Sequence, residues 1–209
     1  MTLLEKLSLL AVALTESLAG QQPPKTMTKV ETFLQSPEIP AGSFATKPRV
    51  MYRAGSRYCR IEEAPDPEKG IHGLAITNEP DYWMVNLITK TAKHGVDPGP
   101  TFNCHLPIFP DTDRALEFGF ETEYFKGKGA VPQKGPVLQT KETTLYKLDL
   151  GNSTFLALFT YGTPEHPMLV SRVRGDKSDM FWFSGWGDLK FDPALFEKPT
   201  GVTIEEQKP

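Results

Sequence analysis

The sequence predicts an α+β domain made mainly of antiparallel β-strands, on three observations. The 19 prolines and 17 glycines lie mostly between apolar segments, which favours many short strands over long helices. From residue 137 onward, alternating apolar and polar residues are separated by short links, as in an antiparallel meander. The best helical spacing after the N-terminal region lies at 114–129. Because 39% of the 209 residues are apolar, the chain can bury a sizeable core.

The chain begins MTLLEKLSLLAVALTESLAGQQPPK, where a short apolar run, Leu7–Leu14, precedes the small residues Ser17 and Ala19. This pattern is typical of a signal peptide, and the run is too short to span a bilayer. We therefore expect a signal peptide over 1–20 and a single domain over 21–209, in a periplasmic or otherwise exported protein. The alternative is an amphipathic helix, because five leucines share one helical face: Leu3, Leu7, Leu10, Leu14 and Leu18.

The next two segments differ in how clearly they predict structure. Residues 27–39 are mixed and predict either a short helix or an edge segment. Residues 49–65 alternate in polarity on both sides of Gly55-Ser56, which predicts a β-hairpin with its turn at that pair.

Residues 71–95 predict two strands joined by a turn at Asn78-Glu79-Pro80-Asp81. On the second strand, apolar side chains alternate on one face at Trp83, Val85 and Leu87. The following residues, 96–110, predict a long proline-bearing loop, and loops of that length inside a compact domain are often functional.

The predicted helix over 114–129 has Leu116, Phe120 and Tyr124 at successive i+4 positions and a predicted end at Gly127. Four further strands are predicted in TTLYKLDL, STFLALFTYG, PMLVSRVRGD and DMFWFSGWGDLKF. The second of these strands is apolar on both faces, which predicts a sheet that is covered on both sides there.

The two cysteines of the chain, Cys59 and Cys104, fit an exported protein. A disulfide between them would close a loop of about 46 residues and stabilise the fold by roughly 4 kcal/mol in the chain-entropy model. The alternative is two unpaired thiols, and the sequence leaves both open.

The charges and motifs argue against several classes of protein. A formal net charge of −3 and a pI of about 5.9 exclude a general nucleic-acid binder, which carries a basic surplus. The adjacent Cys104 and His105 lack a second pair at metal-ligand spacing, and no catalytic or dinucleotide motif is present. His94 and Asp97 are interpreted as solvated loop residues rather than as an acid–base pair. We therefore expect no enzyme activity, no metal and no cofactor.

The C-terminal stretch FDPALFEKPTGVTIEEQ, residues 191–207, resembles the end of the LolA/LolB lipoprotein-carrier family. In that family an aromatic strand leads into Phe-x-x-Pro-x-Gly-Val, an aliphatic residue and an acidic-Gln tail. The matching positions here are Phe196, Pro199, Gly201, Val202, Ile204, Glu205, Glu206 and Gln207. The stretch GLAITNEPDYWMVNLITKTAKH is also similar to the family's strand-turn-strand, with Tyr82-Trp83 at the start of the second strand.

This resemblance implies a curved, incomplete β-barrel, a half-barrel covered by one or two helices, around an apolar cavity that receives acyl chains. The residues expected to line that cavity are Tyr52, Trp83, Val85, Leu87, Phe120, Phe159, Trp182 and Trp186. The arginine that helps to hold the family's lid has four candidate positions here: Arg49, Arg53, Arg57 and Arg60. The tail predicts that Phe196 and Val202 are buried against the last strands.

The resemblance implies a monomeric, exported, non-enzymatic protein that shelters a lipid, a lipoprotein acyl chain or another apolar ligand. The alternative is an envelope structural or sensory module of the same fold that binds a protein partner. That alternative predicts a filled interior and an exposed apolar patch near residues 102–109.

Overall fold

The computed structural model describes residues 23–40, 42–43, 46–96 and 116–206. Within these ranges one sheet of twelve strands is accompanied by one short α-helix, α1 (Glu121–Gly127), and by 3₁₀ turns at Pro67–Lys69 and Pro193–Phe196. The strands are β1 (Thr26–Gln35), β2 (Arg49–Ala54), β3 (Tyr58–Glu63), β4 (Gly73–Asn78), β5 (Asp81–Asn86), β6 (Thr91–Val96), β7 (Gln133–Lys134), β8 (Thr144–Gly151), β9 (Thr154–Tyr161), β10 (His166–Arg174), β11 (Lys177–Lys190) and β12 (Thr203–Glu206).

The strands are ordered β12-β6-β5-β4-β3-β2-β1-β11-β10-β9-β8-β7. Every neighbouring pair is antiparallel except β12 and β6, which run parallel. The sheet is not closed, since β12 and β7 lie at opposite ends of this order. The predicted mainly antiparallel fold is therefore confirmed, and the open sheet is consistent with a curved half-barrel.

Residues 27–39 form neither a helix nor an edge segment. Residues 27–35 lie in β1, which pairs with β2 on one side and with β11 on the other, so this strand is interior to the sheet. The physical reason is a period of two in the burial of Val30, Thr32 and Leu34, all on one face. Thr32 interrupts the apolar alternation and hides it in the sequence.

The hairpin predicted over 49–65 is confirmed as β2 and β3, and the two strands predicted over 71–95 are confirmed as β4 and β5. A third strand in the second region, β6, was not predicted. Its buried residues are only Ala92 and Gly95, so its sequence lacks a stripe of large apolar side chains. The four strands predicted after residue 137 are β8 to β11.

The helix is shorter than predicted, because it begins at Glu121 and not at residue 114. Residues 114 and 115 lie outside the described residues. Gly119 has a φ of +87°, a left-handed conformation that suits glycine and interrupts a right-handed helix. The predicted end at Gly127 is confirmed.

One face of the sheet, which we call the helix face, is covered by residues Leu116–Ala130, which we call the cover segment. The cover segment contains α1 and contributes Leu116, Phe118, Phe125 and Ala130 to the largest apolar cluster. The sheet contributes nine further buried residues to that cluster: Val30, Met51, Cys59, Tyr146, Leu156, Leu158, Val170, Phe181 and Phe183.

The opposite face of β2 to β6, which we call the tail face, is covered by residues Phe191–Glu206, which we call the tail segment. Phe196 is 0% exposed and packs with Met27 and Ala54, so its predicted burial is confirmed. Val202 is only half-buried and packs with Leu74 and its neighbours on β4 to β6. The tail segment therefore covers the first half of the sheet, and the prediction that it packs on the last strands is wrong.

None of the helices in the described part of the chain has the length and apolar character needed to cross a membrane. The predicted signal peptide, residues 1–20, lies outside the described residues, as does most of the predicted loop over 96–110.

Candidate functional site

The structure separates the eight predicted cavity residues into three places. Tyr52, Trp83, Val85 and Leu87 lie on the tail face and pack in the two clusters beneath the tail segment. Trp83 is buried there with its indole stacked on His94, 5.2 Å between ring centroids. These four residues are therefore not directed toward the cover segment, and whether they bind a ligand stays a prediction.

Phe159 and Trp182 occupy a second place. Both pair with Leu169 of β10, and each alternates along its strand with members of the helix-face cluster, such as Leu158 and Phe181. They therefore point away from the cover segment. Both are half-buried, and Trp182 stacks on Phe33 with 6.3 Å between ring centroids.

Phe120 and Trp186 occupy the third place, a cleft of about 580 Å³ at the margin of the cover segment. The cleft lies between the beginning of β1, the end of β2, residues 119–123 of the cover segment and residues 164–167, which lead into β10 and begin it. It brings together Arg53, Glu121 and Trp186, which are far apart in the sequence. This cleft is the candidate functional site.

Arg53 lies at the end of β2 and is only 6% exposed. Its Nε donates to the carbonyl oxygen of Gly55 at 2.8 Å, and its Nη2 donates to the carbonyl oxygen of Ser56 at 3.2 Å and to the Glu117 carboxylate at 3.1 Å. Its guanidinium carbon is 5.0 Å from the centre of the Phe120 ring. Burial lowers the pKa of Arg53. Arg53 thus ties β2 to two residues of the cover segment.

The other three candidate arginines make contacts elsewhere. The Arg49 guanidinium lies 3.3 Å from Glu63, and that of Arg57 donates to the Asn78 side chain at 3.0 Å. Arg60 donates to the carbonyl oxygen of Leu195 in the tail segment at 3.1 Å. Of the four, Arg53 is the one whose hydrogen bonds described here reach a cover element on the helix face.

A buried carboxyl group lies beside Arg53. Glu121, the first residue of α1, is 1% exposed, and the backbone N–H of Gly119 donates to its two carboxylate oxygens at 3.1 and 3.0 Å. Burial raises the pKa of Glu121 to about 8, because an apolar environment disfavours the charged form. At neutral pH this group is therefore mostly a neutral carboxylic acid.

Trp186 forms the aromatic wall of the cleft. Its Nε1–H donates to the carbonyl oxygen of Pro167 at 2.7 Å, and its ring stacks on Phe183 with 5.8 Å between centroids. Trp186 also packs against the helix-face cluster while remaining half-buried. The indole is thus held at the boundary between the cleft and the apolar interior.

The rim of the cleft is acidic. Glu123 and Asp188 line it and are exposed, whereas Glu165 accepts hydrogen bonds from Lys126 at 3.2 Å and from the Tyr146 hydroxyl at 2.9 Å. Of these three carboxylates, Glu165 is therefore the one paired with a lysine, whereas Asp188 accepts a hydrogen bond from the Thr28 hydroxyl at 3.4 Å.

His94 does not lie in a loop, so the sequence interpretation of this residue was wrong. It belongs to β6, and its ring nitrogens Nε2 and Nδ1 lie 2.8 Å from an Asp81 oxygen and 2.5 Å from a Glu206 oxygen. The hydrogen bond to Glu206 is the main cause that raises the pKa of His94, and the bond to Asp81 adds to it. His94 thus links β12 to β5. Asp97 lies outside the described residues.

In the part of the chain that the structure describes, no group of three or more His, Cys, Asp or Glu side chains could hold a metal ion. Cys59 is buried on β3 and is not a free thiol. Cys104 and His105 lie outside the described residues, so the pairing of the two cysteines stays a prediction.

No protein-family model and no curated protein sequence matches the chain. The structure is similar to the crystal structure of an uncharacterized conserved protein from Thermus thermophilus, with a TM-score of 0.54 and 8% identity over 94% of this chain and 99% of that chain. It is also similar to a LolA superfamily protein from Nitrosomonas europaea, with a TM-score of 0.39 and 8% identity over 85% of this chain and 92% of that chain. The Thermus protein therefore shares the fold over nearly its whole length.

Proposed function

We propose that the protein is a non-enzymatic binding protein that takes up an apolar ligand, such as a lipid or a lipoprotein acyl chain, between the helix face and the cover segment. Its action as an exported, periplasmic carrier related to the LolA/LolB family belongs to the same proposal. The support for that relation is the motif of the tail segment, whose Phe196 is a fully buried packing residue. No cofactor and no nucleic acid is part of this function.

The observation that carries the proposal is the composition of the helix-face cluster. Phe118 and Phe125 of the cover segment are 0% exposed and share that cluster with Leu158 and Phe181 of the sheet. The cover's own apolar side chains thus occupy the region where the family resemblance places an acyl chain. An acyl chain of similar polarity can take their place, and each buried methylene contributes about 0.8 kcal/mol.

The contacts that hold the cover segment on the sheet are weak enough for the segment to move away from it. Its only helix in the described residues has seven residues, too few to be stable in isolation. A buried ion pair such as Arg53–Glu117 adds little net stability after its desolvation cost, and burial raises the pKa of Glu121 to about 8, so ionising this group destabilises the segment. The cover segment therefore has less local stability than the paired strands below it.

The chain carries three tryptophans, in the three separate places described above, so fluorescence can test the proposal. A Trp83→Phe/Trp182→Phe protein reports from Trp186 alone, beside the cover segment. We expect its emission to shift when alkyl maltosides of increasing chain length are added below their micelle concentrations. The affinity should grow with chain length, because each methylene adds transfer free energy.

The matched control is a Trp182→Phe/Trp186→Phe protein, which reports from Trp83 beneath the tail segment. Its emission should not change with any of these ligands. If the emission of Trp83 changes and that of Trp186 does not, the ligand binds at the tail face instead. Unchanged emission from both proteins, while they remain folded, would contradict the proposal.

The second candidate is the partner-binding module, and one observation favours it. Tyr146, Phe118, Phe125 and Phe181 are all at most 1% exposed, so side chains of the chain itself pack tightly beneath the cover segment, as that hypothesis predicts for the interior. The apolar patch that it places near residues 102–109 lies outside the described residues. Native mass spectrometry of protein from a bacterial host, followed by lipid extraction, separates the two candidates. A co-purifying lipid favours the carrier, and its absence favours the module.

A further inference from the structure

We propose that the cleft beside the cover segment binds a zwitterionic head group, with a phosphate or carboxylate oxygen at Arg53 and a cationic amine at the rim carboxylates Glu123 and Asp188. This inference rests on the proposed function, because the acyl chain attached to such a head group would enter beneath the cover segment. It adds a polar recognition site to a binding surface that is otherwise apolar.

The first argument is an unused hydrogen-bond donor. A guanidinium has five N–H groups, and Nε and Nη2 of Arg53 are engaged as described. Nη1 is buried and has no hydrogen-bond partner among the described residues. Leaving a buried donor of a charged group unpaired is costly, so an arriving oxygen acceptor gains that interaction. Phosphate and carboxylate oxygens are the acceptors that match a guanidinium best.

Nη1 is buried, and the cover segment places an aromatic side chain against the guanidinium. Phe120 belongs to that segment, lines the cleft and lies over the guanidinium. An oxygen therefore reaches Nη1 when Phe120 moves with the cover, which is the same motion that admits the acyl chain. Head-group binding and chain binding are thus coupled through one side chain.

The second argument is the charge of the rim. An anion with no compensating charge would bind Arg53 while facing the exposed carboxylates of Glu123 and Asp188, and it would be repelled by them. Glu117 already neutralises much of the Arg53 charge. A head group that also carries an ammonium turns this repulsion into attraction. The arrangement of a buried cation and an acidic rim therefore favours a zwitterion over an anion or a cation.

The third argument is the connection to the apolar interior. Trp186 lines the cleft, and its ring lies 6.3 Å from the ring of Phe118, which belongs to the helix-face cluster. An alkyl chain that leaves the head-group site along this aromatic wall enters the region beneath the cover segment. One amphiphile can thus occupy both regions.

Isothermal titration of the unmodified chain with four amphiphiles of the same dodecyl chain tests the inference. The probes are dodecylphosphocholine, dodecyl phosphate, dodecyltrimethylammonium and dodecyl maltoside, each below its micelle concentration. We expect the zwitterionic probe to bind on the order of tenfold more tightly than each of the other three. Replacing dodecylphosphocholine by a carboxylate-bearing dodecyl betaine distinguishes phosphate from carboxylate recognition.

Variants of exposed rim residues complete the test without a risk to folding. Asp188→Asn and Glu123→Gln should each weaken binding of the zwitterionic probe several-fold, because each removes a partner of the amine. Neither variant should change binding of the maltoside. Asp176→Asn, which alters an exposed carboxylate in the β10–β11 turn, is the matched control. It should change the binding of neither probe.

The outcomes separate this inference from the function on which it rests. Equal binding of all four probes overturns the head-group site and leaves the apolar binding protein intact. If dodecyl phosphate binds more tightly than dodecylphosphocholine, or if neither rim variant has an effect, the preference for a zwitterionic head group is overturned. Failure of every probe to bind overturns both proposals.

Discussion

Burial decides the chemistry of the ionisable side chains that join the cover segment to the sheet. Arg53 and Glu121 are both more than nine-tenths buried. Burial lowers the pKa of Arg53 and raises that of Glu121, and both shifts favour the neutral form of the side chain. The sequence shows only an arginine on a strand and a glutamate near a helix start. Their burial depends on the Gly119 turn and on the β2–β3 hairpin, so composition and spacing could not predict the site.

We expect Glu121→Gln to change the pH dependence of stability. The folded-state pKa of Glu121 is raised from its ordinary value of 4.5 to about 8, so the folded protein retains a proton that the unfolded chain loses between those values. The free energy of unfolding therefore falls as pH rises from about 4.5 to about 8. Glutamine is neutral throughout, so the variant should be more stable than the parent at pH 8 by on the order of a few kcal/mol.

Urea unfolding at several pH values between 5 and 9 measures this difference. Asp176→Asn, at an exposed carboxylate in the β10–β11 turn, is the control and should follow the parent at every pH. A constant difference between Glu121→Gln and the parent across the whole range would show that Glu121 is ionised in the folded protein.

At the scale of elements, the strands with clear alternation were predictable and the others were not. β8 to β11 were predicted because their apolar residues repeat with a period of two between short links. β6 was missed because its buried residues, Ala92 and Gly95, bring almost no apolar side chain, and the helix start was misplaced because Gly119 turns the chain. The burial of Phe196 was predicted from its motif, but the face that it covers was not.

We expect Phe196→Ala to destabilise the protein by about 3–5 kcal/mol, because it removes a fully buried ring from the cluster beneath the tail segment. The ring contacts Tyr58 at 5.4 Å and Phe191 at 5.6 Å between centroids, so its loss leaves a cavity. The urea midpoint measures the change. Leu189→Ala, at a 39% exposed apolar residue, is the control and should cost far less. An unmoved midpoint for Phe196→Ala would mean that the tail segment is loosely attached.

We expect the docking of β12 to depend on pH through His94. The groups that face its ring are Asp81 from β5 and Glu206 from β12, and both favour the imidazolium. Because the folded-state pKa is raised, this stabilisation is fully present below the unfolded value of about 6.5 and is lost as pH rises through the folded value. Hydrogen exchange of Thr203–Glu206 measures the effect as protection factors.

In this experiment His94→Gln should lower the protection of β12 near pH 6 and have little effect near pH 9. His72→Gln, which alters a histidine beside Glu62 instead, serves as the control. Equal loss of protection by His94→Gln at both pH values would assign a packing role to the ring and not an electrostatic one.

At the scale of the whole molecule, the sheet depends on a pairing of two strands that no local sequence pattern predicts. β1, near the N-terminal side, pairs with β11, near the C-terminal side, and this pairing joins the two halves of the sheet. It also brings Trp186 of β11 to the same cleft as Arg53 of β2. The antiparallel class was predictable from the turns and the strand period. The location of the cleft was not, because it follows from this long-range pairing.

Hydrogen exchange of the cover segment can show whether an apolar ligand binds beneath it. The protein is compared with and without dodecyl maltoside, added below its micelle concentration at a level that saturates binding. If the ligand takes the place of the cover's side chains, the amides of Glu121–Gly127 should exchange on the order of tenfold faster, while those of β9 and β10 keep their protection. Unchanged or slower exchange throughout Glu121–Gly127 in the saturated complex would contradict the claim that an apolar ligand binds beneath the cover segment.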